Sequence, residues 1–181
     1  MVNTLNKTDL INEKISVCLS SSGVSGQQLR SAHYFLGAEL AKQIKKKEKL
    51  INKKIAVVVM MRAGLPFGLG ISDALEYSNS LDILFSPVAE KDFAGYDLVI
   101  IADAVINTGK TILEFINTVN NKNILIMTNV ISEKYISNFD AYNVQAVRIS
   151  SNSYKGSNVK VISNGKGPDT GDRLFSNSFF K

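Results

Sequence analysis

Apolar runs alternating with helix-period segments predict an α/β fold. It is a mostly parallel central sheet with helices on both faces, completed by a C-terminal loop region. Three observations carry this. Residues 55–61 and 98–102 are continuous apolar runs, short enough for strands buried on both faces. Each is followed by a tight turn and then by apolar residues at helical spacing. The 181 residues are 45% hydrophobic and show no internal repeat, which suits one domain spanning 1–181.

Taken in order, residues 10–19 form a short amphipathic helix that Ser20-Ser21-Ser22-Gly23 breaks. Ser25 caps a long helix from about Gly26 to Lys47, with Leu29, Ala32, Phe35, Leu36, Leu40 and Ile44 on one stripe. His33 lies in this helix. As the only histidine it cannot belong to a multi-histidine metal site, and it reads as structural or partly exposed. The strand at 55–61 ends in Arg62-Ala63-Gly64, and a helix follows to about Tyr77. Residues 81–85 are a short strand, 86–95 a polar connection, and 98–102 a buried strand that Asp103 ends. Asn107-Thr108-Gly109 is a polar corner, and Lys110 opens a helix to about Asn120. A strand at 123–130, a short helix at 132–136 and a strand at 144–149 complete the sheet. From residue 150 onward the chain is polar and glycine-rich, without a clear helix.

Composition narrows the function classes. No apolar run reaches the length of a membrane span, and the first residues lack the apolar core of a signal peptide. Cys18 is the single cysteine, so no internal disulfide can form. A cytoplasmic protein is expected. The net charge of +5 favours anionic partners such as phosphates and nucleotides. Much of it lies in one lysine run at 42, 45, 46, 47, 49, 53 and 54, which reads as a solvated helix end, and RNA is not expected as a partner.

Three stretches carry chemistry. In the first, a buried strand leads through Asp103 to the Asn107-Thr108-Gly109 corner and to Lys110-Thr111. Loop amides, the helix dipole and two threonine hydroxyls suit a phosphate. The Asp103 carboxylate would repel that phosphate, so it suits a sugar hydroxyl or a metal-bound water. Ala104-x4-Gly109-Lys110-Thr111 is also a relaxed P-loop pattern, but its first glycine is missing. In the second, Arg62-Ala63-Gly64 offers a guanidinium fork beside backbone amides, enough to hold a pyrophosphate. The third, residues 165–175, is a polar, backbone-rich loop that can read a flat heterocycle.

Together, in this order, the stretches resemble the type I phosphoribosyltransferases, and most closely the uracil phosphoribosyltransferase family. Met61-Arg62-Ala63-Gly64-Leu65 resembles its Leu-Arg-Ala-Gly pyrophosphate loop. Asp103-Ala104-Val105-Ile106-Asn107-Thr108-Gly109-Lys110-Thr111 resembles its phosphate loop, and Gly167-Pro168-Asp169-Thr170-Gly171-Asp172-Arg173-Leu174-Phe175 its Gly-Asp-x-Gly-Asp-Arg-x-Phe tail. Lys110 stands where the family has glycine, Pro168 lengthens the tail by one residue, and 86–95 is shorter than the family's mobile hairpin.

The resemblance implies transfer of 5-phosphoribosyl from phosphoribosyl pyrophosphate to uracil, giving UMP and pyrophosphate. Asp103, Arg62 and Asp169 would be catalytic. Residues Val105, Ile106, Asn107, Thr108, Gly109, Lys110 and Thr111 would hold the 5'-phosphate, and Arg62, Ala63 and Gly64 the pyrophosphate. Ile162, Gly167, Pro168, Asp169 and Thr170 would read the base, within a hood segment of roughly 150–178. Asp172 and Arg173 would brace the loop. Mg²⁺ would arrive with phosphoribosyl pyrophosphate, without direct protein ligands, and reach Asp103 or Asp169 through water. A homodimer or higher homo-oligomer is implied. The alternatives are a different base-like acceptor and a non-catalytic nucleotide-sensing or RNA-binding regulator on the same fold.

Overall fold

The computed structural model describes residues 2–47, 50–76, 79–87, 92–151 and 168–175. Six parallel strands form one sheet in the order β1-β6-β5-β4-β2-β3. They are β1 (Val2–Thr4), β2 (Lys54–Val59), β3 (Ser80–Phe85), β4 (Leu98–Ile106), β5 (Ile124–Ser132) and β6 (Asn143–Ser150). The helices are α1 (Asp9–Cys18), α2 (Gly26–Lys47), α3 (Leu65–Glu76), α4 (Lys110–Ile116) and α5 (Thr170–Phe175), with a 3-10 helix at Glu133–Phe139. All strand pairs are parallel, with helices carrying the chain back in most of the connections.

The sheet is buried on both sides, as the continuous apolar runs require. Ile55, Val57, Val59, Ile100 and Ala102 face a core built with α1, α2, α3 and α5. Ala56, Val58, Val99, Ile101 and Ile126 face a second core built with α4 and the 3-10 helix. Among the described residues, no helix is long and apolar enough to cross a membrane.

Five departures from the sequence reading follow, most of them near the site. Asp103 does not end its strand: β4 continues to Ile106, and Asp103 pairs with Thr128 of β5. The β-branched pair Val105-Ile106 prolongs the strand, with Ile106 buried in the second core. The helix after the corner stops at Ile116 rather than near Asn120, so it is only two turns long. Residues 86–95 are not simply a polar connection. Phe93 is buried edge-on against Phe115 at 6.2 Å, and its amide donates to Asn120 Oδ1 at 2.8 Å. The tail does contain a helix, α5, and the chain opens with the three-residue edge strand β1.

Candidate active site

Parallel sheets place ligands beyond the carboxyl ends of their strands. There, β2 and β4 are neighbours, and a cleft of about 400 Å³ opens between the turn after β2 and the corner after β4. Arg62 and Ala63 line it from the end of β2, and Asp103, Val105, Asn107 and Thr111 from β4 and its corner. Asp169, Thr170 and Gly171 line it from the tail. Residues distant in sequence thus share one space of the size that small-molecule sites occupy.

Two glycines make this approach possible. Gly64 packs the β2 turn against β4: a Cβ there would fall 2.5 Å from the Met60 carbonyl oxygen and 2.8 Å from that of Ala102. Gly109 turns the corner at φ +73°, in the left-handed region, where a Cβ would also meet the Phe139 ring at 2.1 Å. Gly64→Ala is expected to cost about 2 kcal/mol through overpacking and to shift Arg62 away from Asp103. A thermal melt that leaves the midpoint unchanged would contradict this packing.

The tail is tied to the β2 turn. Asp169 caps α5 and Asp172 returns the contact: the Asp172 amide donates to Asp169 Oδ1 at 2.7 Å, and the Asp169 amide to Asp172 Oδ2 at 3.2 Å. Arg62 Nη2 donates to Asp172 Oδ1 at 3.0 Å, so the guanidinium lies against the start of α5. Behind the tail, Arg173 is buried and donates to the carbonyls of Leu19 and Val24 and to Ser22 Oγ. Sequence reasoning overlooked Ser86, whose Oγ accepts from the Met61 amide at 3.0 Å and steadies the turn. The Asp-x-x-Asp spacing at 169 and 172 was the available sign of α5.

Asp103 is the electrostatic centre of the cleft. Burial pushes its carboxyl up to about 7, against hydrogen bonds from the Val105 and Ala104 amides that pull it down. A carboxyl titrating near neutrality in a cleft is a functional candidate rather than a structural one.

Several expected site residues stand elsewhere. Ile106 is buried away from the cleft. The Lys110 side chain is exposed and turned to Glu114 at 3.7 Å, as an i,i+4 pair on the outer face of α4. Thr108 Oγ1 accepts from the Lys110 amide at 3.4 Å, and the Thr108 carbonyl accepts from Asn138 Nδ2 at 3.1 Å, so this residue shapes the corner. The Gly64 amide donates to Met60 O at 3.0 Å, so the amides facing a pyrophosphate reduce to the earlier part of the turn. Pro168 is buried beneath the tail. Ile162 and Gly167 lie outside the described residues, as does most of the 150–178 hood.

Asp103 and Asp169 share the cleft with the phosphate corner, so a bound polyphosphate would meet like charge unless a cation came between. That fits Mg²⁺, which is held by one or two carboxylates together with substrate phosphates. No group of three or more histidine, cysteine or acidic side chains stands ready for a metal among the described residues.

Fold and cleft together define a type I phosphoribosyltransferase. A family model described as uracil phosphoribosyltransferase matches residues 13–177, and the chain belongs to that family. A search among curated proteins found no match. Among solved structures, the AQ2163 protein from Aquifex aeolicus is similar along the whole chain, with a TM-score of 0.70 and 18% identity over 97% of this chain and 98% of that one. A hypoxanthine-guanine phosphoribosyltransferase from Schistosoma mansoni, in complex with IMP, superimposes at a TM-score of 0.50 with 15% identity over 65% of each chain. Another hypoxanthine-guanine phosphoribosyltransferase, from Bacillus anthracis, reaches 0.50 with 16% identity over 65% of this chain and 77% of its own. At these identities the likeness is one of fold.

Proposed function

We propose that this protein transfers the 5-phosphoribosyl group from phosphoribosyl pyrophosphate to uracil. The observation that carries this reading is the single cleft joining Arg62, Asp103, Asn107, Thr111 and Asp169. In the step itself, the C1–O bond to pyrophosphate breaks and its electron pair leaves on pyrophosphate. The ring nitrogen bonds to C1, and the N–H proton passes to solvent. The sugar carries positive charge in between, so catalysis is positioning and charge stabilisation.

Asn107, Thr111 and the corner amides hold the 5'-phosphate. Helix α4 is too short for its dipole to add much. Ionised Asp103 accepts from a ribose hydroxyl and faces the cationic sugar. Arg62 and the Ala63 amide take the charge developing on pyrophosphate, Arg62 exchanging Asp172 for the stronger anion. Mg²⁺, when bound with the substrate, neutralises part of that charge; Asp103 and Asp169 are the carboxylates that would hold its waters. Of the tail residues, Asp169 and Thr170 face the cleft and would read the base. A homodimer or larger homo-oligomer is part of the same reading.

Pyrophosphate release from phosphoribosyl pyrophosphate, measured with and without uracil, tests the function. Uracil-dependent release is expected; none with uracil or any other base would end it. Arg62→Lys keeps the charge but loses the fork, and a roughly tenfold rise in KM for phosphoribosyl pyrophosphate is expected.

A further inference from the structure

Beside the cleft, and sharing Val105, Asn107 and Thr170 with it, lies a second chamber of about 60 Å³. It sits at the carboxyl ends of β5 and β6, and its described lining contains no Asp or Glu. Four polar atoms buried around it have no hydrogen-bond partner among the described residues: His33 Nε2, Asn129 Oδ1, Ser132 Oγ and Arg148 Nε. His33 and Asn129 are each 1% exposed. A buried polar group left unpaired loses its hydration without replacement, so four around one chamber ask for an occupant.

The hydrogen-bonding pattern says which kind. Asn129 Nδ2 donates to His33 Nδ1 at 3.2 Å. Burial first, then Arg173 and Arg148, drive the imidazole down to about 3, so the ring is neutral. A neutral ring accepting at Nδ1 carries its proton on Nε2, an assignment that follows from the network. The unpaired atoms around the chamber are therefore three donors (His33 Nε2–H, Arg148 Nε–H and the Ser132 hydroxyl) and one acceptor, Asn129 Oδ1. Cys18, also in the lining, stays a thiol because burial pushes it up to about 11.

The sheet order says where in the reaction it belongs. Arg62 follows β2 on one side of β4, whereas the chamber lies over β5 and β6 on the other. In a displacement at C1, the acceptor enters on the face opposite the departing pyrophosphate. With the 5'-phosphate at the end of β4, the acceptor must come from the β5–β6 side. A volume near two waters admits only the oxygen-bearing edge of a ring, the ring itself remaining in the cleft.

We infer that His33, Asn129 and Arg148 are specificity-determining residues that select an acceptor carrying an oxo oxygen on the edge remote from its attacking nitrogen. The chamber rejects rings bearing amino groups there, because its donors would face donors. This rests on the phosphoribosyl-transfer reading.

Titration calorimetry of the full chain with ribose 5-phosphate, UMP and CMP tests it. Tighter binding of UMP than of ribose 5-phosphate, with CMP at least tenfold weaker than UMP, is expected. Asn129→Leu and Arg148→Met should abolish the gain over ribose 5-phosphate while leaving ribose 5-phosphate itself within about twofold. If ribose 5-phosphate and phosphoribosyl pyrophosphate both fail to bind, the transferase reading falls and this inference with it. If they bind but CMP equals UMP, or the gain survives in folded variants, the inference alone is overturned. Should a variant not fold, the ranking on the unaltered chain decides.

Discussion

Asp103→Asn is expected to slow turnover by about 100-fold or more and, above neutral pH, to make the protein more stable. The rate loss comes from removing a preorganised charge beside a cationic sugar. The stability gain comes from linkage. The folded carboxyl titrates near 7, above its ordinary 3.8, because burial disfavours the charged form. Between about pH 4 and 7 the folded state holds more protons than the unfolded, so stability falls as pH rises through that window. At pH 8 the chain carries an ionised, poorly hydrated carboxylate that Asn would remove. The full shift would be worth about 4 kcal/mol at 1.36 per unit, but the side chain reaches cleft water, so about 1–2 kcal/mol is expected. For a domain of this size that is roughly 3–6 °C in Tm at pH 8, and little at pH 4. Unaltered turnover, or the same Tm gain at both pH values, would remove Asp103 from its place in the mechanism. In the parent chain, kcat should rise as pH passes 7 and Asp103 ionises.

How far the sequence reaches depends on how local each signal is. The runs at 55–61 and 98–102 read directly, because a strand buried on both faces needs unbroken apolar residues. Helix α2 reads to the residue, from Gly26 to Lys47, since its stripe persists over six turns. Arg62 and the Asp103-to-Thr111 corner were legible because strand, turn and helix are adjacent in sequence. Asp103 was misplaced at a strand end because a lone acid normally stops an apolar run, whereas here Val105 and Ile106 carry the pairing on. Helix α5 was missed because six residues with a glycine have little helical propensity of their own. Its support is tertiary: the Asp169–Asp172 caps, Arg30 Nη1 on the Leu174 carbonyl at 2.6 Å, and Arg173. The side chamber was illegible for the same reason. Its residues come from six elements, and His33, expected to be structural or partly exposed, is fully buried. The one hint was polar residues placed inside apolar patterns: His33 on the stripe of α2, and Asn129 within β5.

Arg173→Met is expected to lower stability by about 3 kcal/mol, or roughly 6–12 °C in Tm. The arginine is 2% exposed and holds the α1–α2 connection to the tail. Its Nη2 donates to Leu19 O at 2.9 Å, Val24 O at 3.0 Å and Ser22 Oγ at 3.1 Å, and its Nε to Val24 O at 3.2 Å. Methionine keeps much of the apolar stem but leaves those oxygens facing a buried space without donors, and hydrogen bonds to a charged group contribute about 1.5–3 kcal/mol each. The effect should also reach the cleft, because α5 carries Asp169 and Thr170 at its start. At a temperature where the variant is folded, KM for phosphoribosyl pyrophosphate should rise several-fold. Leu75→Ala, a cavity of similar cost beneath α3, should lower Tm comparably and leave KM alone. A loss of stability without the KM change would make Arg173 a core residue only. A Tm within about 2 °C of the parent would show that the tail holds its place through other contacts, with the Asp172–Arg62 pair the first to test.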